Sequence, residues 1–281
     1  MKNNLLASKT LPLYNKRILI TAPRNYVSRL ATEIINYGGV PIIMPTIETC
    51  YLSSYKKLDN CLNNISQFNY IAFTSRNGIN ALINRLETLN IPRSYLDNCQ
   101  LIAIGKDAQR LKEMGLKVAI MPKEPSPLGI VSELAKIDNI EKQSILIPIP
   151  QVIGISEPDI IPNFITALER LGMKINPVYA YQTRCLETSL YDMEIDLIKQ
   201  GKIDVIAFSS TAEIESFLQL VNNTQLFKQC LIACFGPYTA GNARKLGLTV
   251  DIVGKDYHSF TGFVEAIADY LTPSNSSEIY A

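Results

Sequence analysis

Short apolar segments rich in Ile and Val alternate with longer amphipathic segments along most of the chain. The amphipathic segments carry apolar residues at helical spacing, as at Ile79, Leu82, Ile83 and Leu86. The short segments are apolar at consecutive positions, which is typical of parallel strands buried on both faces. The pattern therefore predicts an α/β fold in which helices cover parallel sheets. Strands are predicted at 17–22, 41–44, 70–74, 101–104, 118–121, 144–148, 175–178, 205–209, 231–235 and 249–253.

The middle of the chain occurs twice. The matching segments are 16–20 with 143–147, 69–75 with 203–210, 101–105 with 231–236, and 108–116 with 240–248. The predicted strands divide evenly between the copies, which indicates two similar flavodoxin-like domains, each with a doubly wound parallel sheet. Two related domains predict a cleft between similar walls, where an active site would lie.

Two segments, 45–50 and 177–183, lie outside the duplicated core. Each ends an early strand–helix–strand unit and leads into a new helical segment, so we interpret both as extended crossings that form a two-segment linker. A double crossing is typical of an interdomain hinge. The acidic insert at 153–159 is interpreted as a surface loop, with a lid over the cleft as the alternative.

The composition is that of a globular protein: 47% of the 281 residues are apolar and 19% are charged. This length suits about two domains. The formal net charge of +1 provides no overall field that attracts nucleic acid or a membrane surface. No apolar run approaches the roughly 18 residues of a membrane span, and no signal peptide is evident. We therefore expect a cytoplasmic protein, or a stromal one if a plastid genome encodes it.

Several common chemistries are disfavoured by the residue types present. His258 is the only histidine, which argues against Ser-His-Asp and Cys-His catalysis and against His-rich zinc sites. The six cysteines form no C-x-x-C pair, so we interpret them as core residues. Neither a dinucleotide fingerprint nor a P-loop occurs.

Small, hydroxyl and basic residues follow the duplicated strands. The candidate ligand-binding residues are Arg24, Thr74, Ser75, Arg76, Gly78, Gly105, Lys106, Ser209, Ser210, Gly236, Tyr238 and Thr239. In parallel sheets ligands bind beyond the carboxyl ends of the strands, and backbone N–H groups there suit carboxylate or phosphate oxygens. The alternative is ordinary helix capping and solvated surface charge. Helices are predicted after these turns at 79–89 and 212–221.

Tyr181 is the candidate catalytic residue, and it lies in the second crossing segment. With histidine so scarce, a phenol is one of few groups in this chain that can donate a proton to a leaving oxygen. Packing of the aromatic ring between the domains is the alternative interpretation.

The motifs and their order resemble those of uroporphyrinogen-III synthases, from about Arg17 to Tyr270. The segments that carry this resemblance are 71–78, 102–105, 115–118, 181–183, 203–210, 235–240 and 247–253. Each motif is loose by itself, because the family is divergent. Their number and order make the match specific.

The resemblance implies a step of tetrapyrrole biosynthesis, which leads to haem and chlorophyll. Linear hydroxymethylbilane would lose its terminal hydroxyl as water and cyclise to uroporphyrinogen III, with inversion of ring D through a spiro intermediate. Neither a metal nor a cofactor is implied. The eight carboxylates of that substrate would explain anion-binding turns on both walls of the cleft.

The resemblance also assigns residues and domains. Tyr181 matches the family's suggested acid, Ser209 or Ser210 its second-copy hydroxyl, and Thr239 its threonine. The first-copy turn matches at Thr74, Ser75 and Gly78. One domain would combine 1–47 with 184–281, and the other would be the inserted 48–183.

Some points stay open in the sequence. Many family members have an arginine in the first turn, and whether Arg24 replaces it is undecided. The turn at Gly105 and Lys106 lacks the threonine of its partner copy. We expect a monomer, with transient contact to the preceding deaminase left open. The alternatives are a two-domain protein that binds a polycarboxylate without chemistry and a degenerate regulatory module.

Overall fold

The computed structural model describes residues 9–156, 159–256 and 259–272. The strands are β1 (Arg17–Ile20), β2 (Val40–Ile43), β3 (Ile47–Cys50), β4 (Tyr70–Phe73), β5 (Gln100–Ala103), β6 (Val118–Ile120), β7 (Ser144–Ile153), β8 (Lys174–Cys185), β9 (Val205–Phe208), β10 (Leu231–Cys234) and β11 (Ile252–Val253). The α-helices are α1 (Arg24–Asn36), α2 (Lys56–Asn63), α3 (Arg76–Thr88), α4 (Gly105–Glu113), α5 (Pro127–Leu134), α6 (Ile160–Arg170), α7 (Asp192–Lys199), α8 (Thr211–Val221), α9 (Pro237–Lys245) and α10 (Phe260–Leu271). Short 3₁₀ helices occupy Ile65–Gln67, Arg93–Asn98, Ile140–Lys142, Thr188–Leu190 and Thr224–Phe227.

The described residues form two sheets. The first has the order β2-β1-β9-β10-β11, which is the flavodoxin-like arrangement. The second has the order β3-β8-β7-β4-β5-β6. The pairs β1–β2, β1–β9, β9–β10, β10–β11, β4–β5, β4–β7 and β5–β6 are parallel. The predicted fold class, α/β with parallel sheets, is confirmed.

The duplication explains the second sheet. The repeat matches β1 to β7, β9 to β4 and β10 to β5. The order β8-β7-β4-β5-β6 therefore reproduces β2-β1-β9-β10-β11, although β7 and β8 come last in their unit instead of first. Only β3, at the edge beside β8, has no counterpart in the first sheet of the described residues.

The chain divides into two compact units. Of the described residues, unit 1 holds 9–48, 154–156, 184–256 and 259–272, and unit 2 holds 49–153 and 159–183. The chain passes from one unit to the other within β3 and within β8, and the residues 154–156 after β7 also belong to unit 1. The sequence predicts the domain boundaries between residues 47 and 48 and between residues 183 and 184.

Both faces of each sheet are buried, as the consecutive apolar positions predict. Along β1, Ile18 and Ile20 belong to one core cluster of unit 1, and Leu19 belongs to the cluster on the other side. Along β4, Ile71 and Phe73 pack on one side of the sheet of unit 2, and Tyr70 and Ala72 pack on the other. Side chains alternate along a strand, so each sheet supports two helical layers.

Two strands are longer than predicted, and one was missed. Strand β7 continues to Ile153 and β8 to Cys185, beyond the predicted ends at 148 and 178. Segment 47–50, predicted as an extended crossing, is strand β3. The added residues of β7 and β8 are mostly polar or half-buried, so the apolar pattern of the sequence does not predict them as strand. Helices α3 and α8 begin at Arg76 and Thr211, earlier than predicted, because their caps are Ser75 and Ser210.

The six cysteines are all free thiols. Cys61, Cys99, Cys230 and Cys234 are buried, and burial raises the pKa of Cys99 and Cys230 to about 11 and that of Cys234 to about 12. The thiolate is the reactive form of cysteine. We therefore expect the native protein to react quickly with a thiol reagent at about pH 8 only through the half-buried Cys50 and Cys185. Rapid labelling of more than two thiols would contradict the packing described.

Candidate active site

Tyr181 and Ser75 meet in unit 2. The Tyr181 hydroxyl lies 3.1 Å from the Ser75 hydroxyl, and Tyr181 as a whole is 8% exposed. Tyr181 is on β8, whereas Ser75 follows β4, and β7 lies between these strands in the sheet. The tertiary fold therefore joins two residues that were selected separately from the sequence.

Ser75 also begins α3. Its hydroxyl accepts a hydrogen bond from the Gly78 N–H at 3.2 Å, which satisfies one of the free donors of the first turn. Gly78 is buried, and a Cβ there would lie 3.2 Å from the Pro148 carbonyl oxygen of β7. Thr74, at the end of β4, is half-buried. Ser75 is thus fixed by its helix while its oxygen also contacts the phenol.

The two predicted basic residues of unit 2 lie in adjacent turns, Arg76 directly after Ser75 and Lys106 at the start of α4. The Arg76 Nε lies 3.3 Å from the Asp107 Oδ1, and this ion pair joins the first turns of α3 and α4. Gly105, the first residue of α4, has a φ of +49°, a conformation that favours glycine. Lys106 beside it is exposed. Both predicted basic residues therefore lie at the carboxyl ends of β4 and β5.

In unit 1 the matching turn contains a carboxyl group. The Ser209 and Ser210 hydroxyls donate to Glu213 Oε1, the latter at 3.0 Å, and the Ser209 N–H donates to Oε2 at 2.8 Å. Glu213 is 1% exposed. Sequence reasoning missed Glu213, although Ser210 and Glu213 have the spacing of a capping box. The hydroxyl protons predicted to bind a ligand are directed at this side chain.

The contacts of Thr21 indicate the protonation state of Glu213. The buried Thr21 hydroxyl lies 2.9 Å from the Ala207 carbonyl oxygen and 2.9 Å from Glu213 Oε2. A hydroxyl has one proton, and the carbonyl can only accept, so both contacts are satisfied if the carboxyl donates to Thr21. Desolvation by burial raises the pKa of Glu213, against the opposing effect of its hydrogen bonds. We infer that Glu213 is the protonated acid over a wider pH range than an exposed glutamate.

The two copies of the turn therefore differ in chemistry. Ser75 and Ser210 occupy the same place in the repeat, and Gly78 stands where Glu213 stands in unit 1. The glycine leaves the Ser75 oxygen in contact with Tyr181, whereas the glutamate occupies the hydroxyls of Ser209 and Ser210. Of the two copies, the one in unit 2 is the better placed for proton transfer.

The other predicted residues of unit 1 lie at the ends of β1 and β10. Gly236 is the N-cap of α9, followed by Pro237 at the first helical position, which suits proline. Tyr238 is 51% exposed and Thr239 is buried. Arg24 is the exposed first residue of α1. Arg184, near the end of β8, pairs with Glu48 at 2.6 Å.

The described residues contain neither a cluster of metal ligands nor a membrane-spanning helix. Within 9–156, 159–256 and 259–272, no three His, Cys, Asp or Glu side chains are grouped so that they could hold a metal ion. No helix in these ranges is long and apolar enough to span a membrane. His258 and the residues Glu157 and Pro158 of the acidic insert lie outside the part of the chain that the structure describes.

Comparison with known proteins decides the family. The family model described as "Uroporphyrinogen-III synthase HemD" matches residues 28–261, which is most of the chain. The chain belongs to the uroporphyrinogen-III synthase family. The resemblance noted in the sequence is thereby confirmed. Members of this family are enzymes, specifically cyclising lyases.

Curated relatives agree with this family assignment. The chain is 25% identical over 260 residues to the uroporphyrinogen-III synthase of Chlorobaculum parvum, covering 91% of this chain and 99% of the relative. It is 26% identical over 267 residues to that of Synechococcus elongatus, covering 92% and 97%. A mutant uroporphyrinogen III synthase from the bacterium Thermus thermophilus shares the fold, with a TM-score of 0.66, 15% identity and coverage of 91% and 98%. This synthase-family chain thus matches these three proteins over nearly their whole lengths.

Proposed function

We propose that this protein is a uroporphyrinogen-III synthase that dehydrates and cyclises hydroxymethylbilane, inverting ring D through a spiro intermediate. The observation that carries the proposal is the contact of the Tyr181 phenol with Ser75 at the carboxyl end of β4. Membership of the synthase family supports it.

Tyr181 serves in this proposal as the general acid. Phenols keep their proton near neutral pH, so Tyr181 can donate it to the terminal hydroxyl of the bilane, which leaves as water. The resulting cation is attacked by ring D through its substituted carbon, and the spiro intermediate fragments and recloses. The last ring carbon then loses a proton, which restores the phenol and balances the reaction.

Ser75 has the role of positioning the acid. Its hydroxyl is held by α3 through Gly78, so it fixes the phenol oxygen in one place. It can also donate a hydrogen bond to the phenolate that remains after proton transfer. The N-terminus of α3 lies beside that oxygen, and the positive end of a helix dipole favours the same charge.

The bilane carboxylates require hydrogen-bond donors and cations. In this proposal the backbone N–H groups at the starts of α3, α4 and α9 supply them, together with Arg24, Lys106, Tyr238 and Thr239, and Arg76 would exchange its Asp107 partner for a substrate carboxylate. Ser209 and Ser210 remain proposed contacts, but a substrate carboxylate would have to displace Glu213 from their hydroxyls. The proposal includes no metal and no cofactor, because the bilane itself carries the leaving group and the nucleophile.

The deciding experiment supplies the purified protein with freshly generated hydroxymethylbilane and separates the oxidised products by chromatography. We expect the type III isomer, with or without a metal chelator, against a spontaneous background of type I. Type I alone from folded protein would contradict the proposal. If such protein still bound uroporphyrin III, the alternative of a non-catalytic polycarboxylate-binding protein would replace it.

A further inference from the structure

Unit 1 contains a concave pocket beside Arg24, which is a proposed substrate contact. Its volume is about 300 Å³, and it is lined by Arg24, Val27, Ile43, Pro45 and Tyr191. Arg24 begins α1 directly after β1, and Ile43 ends β2, so the pocket lies at the carboxyl ends of these two strands. That edge of a parallel sheet is where ligands bind.

Tyr191 lines this pocket and carries a buried hydroxyl. The residue is 5% exposed, and its hydroxyl proton has no acceptor among the described residues, because the neighbouring Arg24 guanidinium can only donate. Most buried polar groups in folded proteins have a partner, so such a hydroxyl calls for a ligand or an ordered water. Burial raises the pKa of Tyr191, while the nearby Arg24 guanidinium lowers it.

The start of α1 adds a second favourable feature for an anion. This helix has 13 residues, its N-cap Pro23 makes no side-chain capping hydrogen bond, and its first turn holds no acidic residue. The free N–H groups and the dipole of such a helix end attract negative charge. The Arg24 guanidinium lies at the same end, so a full positive charge reinforces the dipole.

Two carboxylates also act on the Tyr191 phenol. Glu48 and Glu194 both oppose its ionisation. Glu48 is engaged by Arg184 at 2.6 Å, which offsets its charge. The positive groups facing the pocket are therefore Arg24 and the N-terminus of α1, with Glu194 as the opposing charge.

We propose that this pocket binds one carboxylate-bearing pyrrole edge of the substrate. The Tyr191 hydroxyl donates a hydrogen bond to the carboxylate, and Arg24 forms an ion pair with it. Val27, Ile43 and Pro45 pack against the apolar atoms of the pyrrole and its side chain. This inference rests on the proposed function and adds Tyr191 as a binding residue that sequence reasoning did not select.

The test compares Tyr191→Phe with the wild-type protein in steady-state turnover of hydroxymethylbilane and in fluorescence titration with uroporphyrin III. A lost hydrogen bond to a charged group predicts a rise of about tenfold in KM and Kd. The kcat should stay within about twofold, because Tyr191 takes no part in bond breaking. The Tm should not fall, because the removed hydroxyl donates to no described residue of the free protein.

Arg24→Gln should raise KM and Kd in the same direction, more strongly at low salt. Tyr70→Phe is the matched control, since Tyr70 is also a buried tyrosine but lies in unit 2 on β4, and it should leave KM unchanged. A fall in Tm for Tyr191→Phe together with unchanged Kd for Arg24→Gln would show that the hydroxyl is structural and overturn the inference.

The outcomes separate this inference from the proposed function. If the wild-type protein forms the type III isomer and both variants keep its KM and Kd, the pocket assignment is wrong and the function stands. If the wild-type protein forms no type III isomer and does not bind uroporphyrin III, the proposed function itself fails. Binding of uroporphyrin III that depends on Tyr191 and Arg24 would support the pocket assignment, whether or not the wild-type protein forms the type III isomer.

Discussion

Tyr181→Phe is expected to lower kcat at least tenfold. A positioned general acid typically contributes about 10² to 10⁴ to the rate, and phenylalanine keeps the ring while removing the proton. The KM should change little, because the ring still fills its place on β8. Since uncatalysed cyclisation gives the type I isomer, the fraction of type I in the product should rise as the enzymatic rate falls.

Two further variants make this result specific. Ser75→Ala should lower kcat by a smaller factor, because it removes the hydroxyl that positions the phenol but leaves the acid. Tyr179→Phe alters the same strand at a side chain that is 45% exposed, and it should have no effect. If Tyr179→Phe lowered kcat and Tyr181→Phe did not, the assignment of Tyr181 as the general acid would be wrong.

Glu213→Ala is expected to lower the free energy of unfolding by about 2–4 kcal/mol. The substitution leaves the Ser209 and Ser210 hydroxyls and the Ser209 N–H without their partner, and it opens a cavity beside Thr21. Urea denaturation followed by circular dichroism measures the change. Glu215→Ala, on the same helix with one backbone contact at 3.0 Å, is the matched control and should cost less than about 1 kcal/mol. Equal effects of the two substitutions would contradict the role given to Glu213.

The pH dependence of Glu213→Gln tests the protonation state. Because the folded state raises the pKa of Glu213, its favourable contribution is complete below the ordinary value of 4.5 and is lost as the pH rises through the folded pKa. Glutamine cannot ionise, so the stability advantage of the wild-type protein over this variant should shrink with rising pH in that window. An advantage that grows instead would mean that the carboxylate form is the stabilised one.

The strands and their burial follow closely from local sequence. Consecutive apolar residues such as Ile18, Leu19 and Ile20 must face both sides of a sheet, so two covering layers are required by the pattern itself. The repeat adds the equivalence of the two units. By contrast, β8 extends beyond its apolar residues because it pairs with β3 and β7. An apolar pattern does not predict pairing with a segment that is distant in the sequence.

The candidate site divides in the same way. Ser75 and Ser210 are recognisable as helix caps, and the spacing from Ser210 to Glu213 was a usable signal of a capping box that was overlooked. The chain offers no comparable signal for Tyr191. It precedes a short helix far along the sequence from Arg24, and only the folding of unit 1 places both at one pocket.

By itself, then, the sequence determined an α/β protein of two related units, the family to which it belongs, and the turns where its hydroxyl and basic residues lie. The tertiary structure alone decided what those turns contact: a phenol at Ser75, a buried carboxyl group at Ser209 and Ser210, and, among the described residues, a buried tyrosine hydroxyl without an acceptor near Arg24. The physical reason is the sequence separation over which each kind of interaction acts. Helix periodicity and capping act over a few residues, whereas the order of strands in a sheet brings together side chains that local patterns do not connect.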